Sequence, residues 1–354
     1  MQSDFLIVGG GVVGLTSARV LLQSGYRVTL IERGKVGREA SWAGGGILSP
    51  LCPWDYHEAV ARLALRGMNR FGEAAAELYA STGIDPEYLR SGMLLLPLFQ
   101  PELARQWCAQ HQFELRSVKL DEYLPQQQGV GLLLPRVAQV RNPRLLLALR
   151  KSVEMLGGII LEQHEVQQLE TSGERVVALQ TAQGKFSADA YIVAAGAWSK
   201  VLLGAHALGM DIRPIRGQML LFKFDMPPFQ QILLMENLYF IPRRDGHVLV
   251  GSTLEDVGFD KSTTVGARDS LLGRVREIFP DWREIMPVQQ WAGFRPGSPA
   301  NIPTIGRHPR LANLYANSGH FRYGVTMSFA SAELLLNEIE GRAQPFSVAE
   351  YLWH

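Results

Sequence analysis

The chain has 354 residues, 47% of them hydrophobic and 19% charged, the balance of an ordinary globular protein with material for two domains or one large one. Lysine and arginine total 35 against 34 aspartates and glutamates, a formal net charge of +1, so no field is present that would gather nucleic acid or an anionic membrane. No apolar run reaches the roughly 18 to 20 residues of a membrane span, and an apolar strand that starts by Asp4 leaves no room for a signal peptide, which predicts a cytoplasmic protein.

Asp4 to Val8 reads as a short buried strand, and Gly9-Gly10-Gly11-Val12-Val13-Gly14 turns it into a helix from Val12 to Ser24 that Gly25 stops. In this G-x-G-x-x-G pattern Gly9 allows the tight turn, Gly11 lets a pyrophosphate lie against bare backbone, and Gly14 lets the helix pack close to the strand. The helix N-terminus then offers N–H groups and a positive dipole end to the phosphates. A second strand, Arg27 to Ile31, ends in Glu32, 23 residues beyond Gly9, where a carboxylate accepts hydrogen bonds from ribose hydroxyls and disfavours a 2′-phosphate. FAD or NAD therefore fits better than NADP. The plainer alternative, a βαβ unit that binds nothing, is disfavoured by the combined spacing.

Ser41 to Ile47 is a second glycine-rich stretch, too small-sided for a packed element and suited to close approach to a large planar ligand. Tyr56 to Tyr79 reads as a long amphipathic helix, and Asn142-Pro143 opens another, with Asn142 as N-cap, closed by Gly157-Gly158. Ile159 to Glu162, Glu165 to Glu170 and Arg175 to Thr181 read as a meander with turns at Ser172-Gly173 and Gln183-Gly184. Ala190 to Ala194 is wholly apolar and stops at Gly196, as suits a parallel strand whose carboxyl end faces a ligand. Gln218 to Phe224, Leu238 to Ile241 and His247 to Gly251 alternate, which predicts an antiparallel sheet with one face free to wall a cavity. Leu314 to Asn317 as a strand and Tyr323 to Ile339 as a helix return the chain to its first domain. The expected fold is α/β, α+β overall. A Rossmann-like FAD-binding domain (residues 1–85, 140–213 and 298–354) interleaves with an antiparallel-sheet substrate domain (86–139 and 214–297).

Two arginines stand out by their settings, Arg295 in Gly293-Phe294-Arg295-Pro296-Gly297 and Arg322 in Gly319-His320-Phe321-Arg322-Tyr323-Gly324. An unpaired guanidinium is costly among apolar neighbours, and its planar fork pairs bidentately with a carboxylate, so a carboxylate-bearing substrate is the functional reading. A protein carboxylate as partner is the structural alternative, and Tyr239 on a sheet strand adds weight to a site. His320 has no orienting carboxylate in the sequence and reads as a positional residue beside a cofactor rather than a general base. Cys52 and Cys108 are too few and too far apart for a disulfide framework or metal site, and each reads as a small buried hydrophobe. No H-E-x-x-H or G-x-S-x-G motif occurs, so metal and acyl-transfer chemistry have no support.

Taken in order, the Gly9 to Gly14 loop with Glu32, Ser41 to Ile47, Val193 to Ser199, Tyr239-Phe240-Ile241-Pro242-Arg243, Gly293 to Pro296 and Gly319 to Gly324 resemble the D-amino-acid-oxidase-like flavoproteins. Within that family the chain is similar to the glycine oxidases of bacterial thiamine biosynthesis. The resemblance implies noncovalent FAD and oxidation of a small amine acid to an imine, with O2 as partner substrate and H2O2 as product. It implies that Arg295 binds the substrate carboxylate, that Tyr239 donates its hydroxyl to it, and that Arg322 serves flavin and substrate. Its FAD contacts fall on Gly9, Gly11, Val12, Val13, Gly14, Glu32, Arg33, Ala40, Ser41, Gly45, Gly46, Ile47 and Val166, and on His320, Phe321, Arg322, Tyr323, Gly324, Val325 and Thr326. Leu254 stands where the family predicts a methionine in the substrate pocket wall. Gly297 to His308 contains no cysteine, unlike the sarcosine oxidases that attach flavin covalently.

Two other readings keep the fold: a D-amino acid dehydrogenase that passes electrons to a quinone, and a tRNA-modifying flavoprotein. The absence of a basic amphipathic segment argues against the first, and the near-zero net charge against the second. A homo-oligomer is left open, since no interface is legible.

Overall fold

The computed structural model describes residues 3–354. Its first layer is a six-stranded sheet in the order Thr304–Arg307, Leu314–Ser318, Ala188–Val193, Ser3–Val8, Val28–Ile31, Ile159–Leu161. Five of these strands run parallel, with Ile7 opposite Ile192 and Leu30, and only the Thr304–Arg307 edge is antiparallel. Alternation along Ser3–Val8 decides the packing on each face. Phe5 and Ile7 join the core beneath the helices Val12–Gln23, Glu58–Thr82, Asn142–Met155 and Gly324–Glu340. Leu6 and Val8 point the other way, onto an antiparallel meander of Val166–Ser172, Arg175–Thr181 and Gly184–Phe186.

The second layer is an eight-stranded sheet in the order Gln289–Gly297, Arg213–Lys223, His247–Gly251, Leu238–Pro242, Ile232–Met235, Met93–Leu95, Val130–Leu134, Arg116–Lys119. It is antiparallel except where Ile232–Met235 runs beside Met93–Leu95. Leu238 and Phe240 pack into a core with the helix Val265–Ile278 and the rings of Phe229, Phe279 and Trp282. Tyr239 and Ile241 face the opposite way, toward the first layer. The α/β class and the combination of a parallel with an antiparallel sheet are as the sequence predicts. Gln289–Gly297, Ile232–Met235, Met93–Leu95, Val130–Leu134 and Arg116–Lys119 extend the second sheet beyond the three strands read from alternation.

Two local readings are corrected. The Ser41 to Ile47 stretch is packed after all. Ala40–Ala43 forms one helical turn against the strand that carries Arg295, and Ile47–Leu48 pairs with Ala138–Gln139. Small side chains permit this, since a Cβ on Gly293 would come within 2.5 Å of the Ala43 Cβ. Trp291 Nε1 donates to the Ala43 carbonyl at 2.9 Å. Asn142 is not the N-cap of its helix, a place taken by Arg141. Its amide instead donates to the carbonyls of Ser41 and Gly44 at 2.7 and 2.9 Å, so a residue predicted to start a helix braces the glycine loop.

Candidate active site

Between the two layers lies a long cavity, its mouth open to solvent. At one end it begins over the carboxyl ends of Ser3–Val8 and Val28–Ile31. There Gly9 holds φ +111°, and a Cβ on it would sit 2.4 Å from the Ala194 carbonyl oxygen. Gly14 does not line the cavity. A Cβ there would lie 1.9 Å from the Gly9 carbonyl oxygen, so its bare α-carbon is what brings helix and strand together. Gly11, Val12 and Val13 line the cavity at the helix N-terminus, with the Val12 N–H bonded to Ser41 Oγ at 2.9 Å. Glu32 is nine-tenths buried, and its carboxylate accepts from the Gly10 and Gly34 N–H groups, each at 2.8 Å. These bonds hold the acid at the cavity wall, with lone pairs left for a ribose. Arg33, its guanidinium 3.6 Å from the Trp198 ring centroid, and His164, Glu165 and Val166 complete this end.

The middle is walled by Ala40, Ser41 and Gly45 to Ile47 on one side and by His320 to Val325 on the other. Three buried polar atoms on lining residues have no protein partner: His320 Nε2, Asn317 Oδ1 and the Tyr323 hydroxyl. Buried polar groups ordinarily find partners, so these fit a large polar ligand along the wall. Thr326 is fully buried, donates to the Ile47 carbonyl at 3.0 Å and does not line the cavity. Its side chain ties the two walls together.

Burial pushes the His320 imidazole down to about 3, so it is neutral at physiological pH, in keeping with a positional role. Between about pH 3 and 6.5 the unfolded chain binds a proton at this histidine and the native state does not. Stability therefore falls with pH below 6.5, by up to about 1.4 kcal/mol per unit from this group alone. Thermal melts between pH 7 and 5 check this, and His320→Asn should flatten the dependence.

At the far end the second sheet supplies Tyr239, Met219, Gly217, Ser252, Gly293 and Arg295. Ile215 pairs with Arg295, and Gly217, two residues on, lies beneath the guanidinium, where a Cβ would meet its nitrogens. Arg295 donates to the Thr253 carbonyl at 3.2 Å and to Ser252 Oγ, but among the described residues it has no carboxylate partner. Nor does Arg322. The contrast with Arg216 is informative. That arginine, on the neighbouring strand and 4% exposed, is paired with Glu255 at 2.6 Å and Asp260 at 2.8 Å, as a structural arginine is expected to be. Burial lowers the pKa of Arg295, with Tyr239 opposing and the Arg322 charge adding to the fall. Both guanidiniums line a cavity that holds no fixed anion beside them at this end, which is the field of a carboxylate site. The Tyr239 hydroxyl donates to Met219 Sδ at 3.2 Å, a weak acceptor.

Leu254 is 54% exposed and does not line the cavity, so it forms no part of the pocket wall. Gly217, Met219, Ser252 and Trp198 line the cavity without having been singled out from sequence as site residues. A glycine within a strand is a signal of close approach, and Gly217 and Gly293 carry that signal. Met219 and Ser252 carry none. Cys52 and Cys108 are free thiols pushed by burial to about 12 and 11; Cys108 is buried as expected, while Cys52 is only partly so.

A dinucleotide cradle joined to an antiparallel sheet that presents unpaired arginines defines a flavin-dependent oxidoreductase, and the chain belongs to that family. The model described as DAO, FAD dependent oxidoreductase, matches residues 4–337. The chain is 42% identical to "Glycine oxidase" of Pseudomonas aeruginosa, across 99% of its own length and 98% of that protein. It is 33% identical to "Bifunctional protein ThiO/ThiG" of Synechocystis, across 94% of this chain and 51% of the longer one. The crystal structure of glycine oxidase from Geobacillus kaustophilus superposes with a TM-score of 0.93 at 26% identity, covering 100% of this chain and 98% of that one. The protein is thus an FAD-dependent enzyme. Among the described residues, no helix is long and apolar enough to cross a membrane.

Proposed function

We propose that the enzyme oxidises glycine and other small amines of the same kind, sarcosine and small D-amino acids, to the imine, which hydrolyses to the 2-oxo acid. The observation that carries this is Arg295, partly buried at the end of the cavity with no counter-anion among the described residues. FAD, held noncovalently, would lie with its pyrophosphate over Gly9, Gly11, Val12 and Val13 and its ribose at Glu32. Its ring would lie between Gly45-Gly46-Ile47 and the segment from His320 to Val325. When bound, FAD supplies the acceptor for the hydride that leaves the substrate α-carbon. The chain's own work is to orient that carbon. Arg295 would grip the carboxylate, Tyr239 would leave Met219 to donate to it, and Arg322 would add a second positive charge.

Hydride loss requires the amine in its neutral form, and no general base is needed at the site to provide it. The uncompensated charges of Arg295 and Arg322 disfavour an ammonium beside them, and neutral His320 adds no anion to hold one. Activity should therefore rise with pH as the bound amine deprotonates, with kcat/KM levelling in alkaline solution. A profile unchanged from mildly acidic to alkaline pH would contradict hydride transfer from the neutral amine.

Electrons would pass to O2, giving H2O2, and the glycine imine would serve thiamine thiazole synthesis, as the family resemblance implies. The test is peroxide yield from the purified protein with glycine, sarcosine and D-alanine. One H2O2 per substrate supports the oxidase. Turnover only with a quinone or dye supports a dehydrogenase instead.

A further inference from the structure

Arg243 is a buried cation that the site described above does not use. It follows Tyr239 by four residues, at the end of Leu238–Pro242, and is 5% exposed. Its Nη1 donates to Gln139 Oε1 at 2.7 Å and to the Val140 carbonyl at 2.9 Å, and its Nη2 donates to the Gly45 carbonyl at 2.6 Å. Nε has no partner. All three acceptors are neutral. The carboxylates nearest in the surroundings, Glu87 and Asp245, pair with Arg141 instead. Burial lowers the guanidinium pKa only to about 10, so the charge persists at neutral pH.

A buried charge without a counterion is expensive, and an apolar side chain would fill the same space at less cost. Its acceptors explain its place. Gly45 belongs to the cavity wall, Gln139 ends the strand that pairs with Ile47–Leu48, and Val140 follows it directly. Gly45 also lies directly on the Tyr239 strand, since a Cβ there would meet Ile241 Cδ1 and approach Tyr239 Cε2 at 3.4 Å. One guanidinium thus ties the glycine wall to the strand that bears Tyr239.

We propose that Arg243 is a positioning residue for the redox cofactor: clamped by the carbonyls of Gly45 and Val140 and by Gln139, it holds a fixed, uncompensated positive charge behind the FAD ring. This rests on the ring lying along Gly45 to Ile47. Reduction adds negative charge to the ring, and a positive charge held in a low-dielectric wall stabilises the reduced form.

The test is the midpoint potential of the bound flavin in wild-type holoenzyme, Arg243→Met and Arg243→Lys. The methionine variant should lower the reduced-to-oxidised ratio at a given potential at least tenfold, about 30 mV for a two-electron couple. The lysine variant, which keeps the charge, should stay within threefold of wild type. A methionine variant that binds FAD with an unchanged potential overturns the proposal. Should that variant not fold, the lysine variant decides: a shift of tenfold or more overturns the proposal, and a shift within threefold upholds it. Wild-type protein whose FAD is not reduced by glycine contradicts the substrate reading and leaves the potential comparison intact. Wild-type protein that binds no FAD overturns both.

Discussion

Arg295→Ala is expected to raise the KM for glycine steeply, with kcat/KM falling roughly 30- to 5000-fold, while FAD stays bound. The range follows from a cost of about 2–5 kcal/mol for deleting one partner of a desolvated, hydrogen-bonded charge pair. Arg295 is suited to such a loss because its protein contacts are neutral, the Thr253 carbonyl and Ser252 Oγ. Removing it leaves a carboxylate with only Arg322 and the Tyr239 hydroxyl. Gly217 beneath the guanidinium sharpens the prediction, since Gly217→Ala would push the same group aside and should reproduce a smaller version of the defect. Steady-state kinetics together with the flavin content of the purified variant check both. Unchanged kinetics in Arg295→Ala would remove the residue from the substrate site.

The second large effect is expected at Gly14, which touches no ligand. A Cβ placed there falls 1.9 Å from the Gly9 carbonyl oxygen and 3.1 Å from its carbonyl carbon, both backbone atoms that no rotamer change can clear. Helix Val12–Gln23 must then lift away from Ser3–Val8, moving Gly11, Val12 and Val13, which line the cavity. Overpacking of this kind costs about 1–3 kcal/mol in stability, and the displaced helix end spoils the phosphate site as well. Gly14→Ala should therefore purify without FAD and melt at a lower temperature. Gly273→Ala is the control: it lies within helix Val265–Ile278, and a Cβ there meets nothing within 4 Å. It should keep its FAD and its stability or gain slightly.

What was legible in the sequence follows from how local each signal is. The strand, glycine turn and helix of residues 3–23 are contiguous, and Glu32 lies one strand further on, so periodicity and spacing were enough. Arg295 and Arg322 stood out because a guanidinium among glycines and aromatic residues is unusual wherever the fold puts it. Asn142 misled because its side chain serves a loop about a hundred residues upstream, and the Asn-Pro pair looks the same in either role. Leu254 failed for a related reason. Whether a residue faces a cavity depends on how segments distant in sequence pack together. Four of the five further strands of the second sheet are short or apolar throughout, so alternation did not reveal them, and the fifth, Gln289–Gly297, is interrupted by Gly293 and Pro296. Gln139 as a partner of Arg243, and Met219 as a resting partner of Tyr239, come from tertiary pairing alone.

The central claim is that a carboxylate held at Arg295 brings a small amine to the flavin. Anaerobic titration of the purified, FAD-loaded protein with glycine tests it most directly. The account predicts that the oxidised-flavin absorbance bleaches in wild type and returns on admitting O2. At the same glycine concentration it should barely change in Arg295→Ala, despite equal flavin content. Full bleaching of Arg295→Ala at the wild-type glycine concentration, or no bleaching of the wild type by any small amino acid, would contradict it.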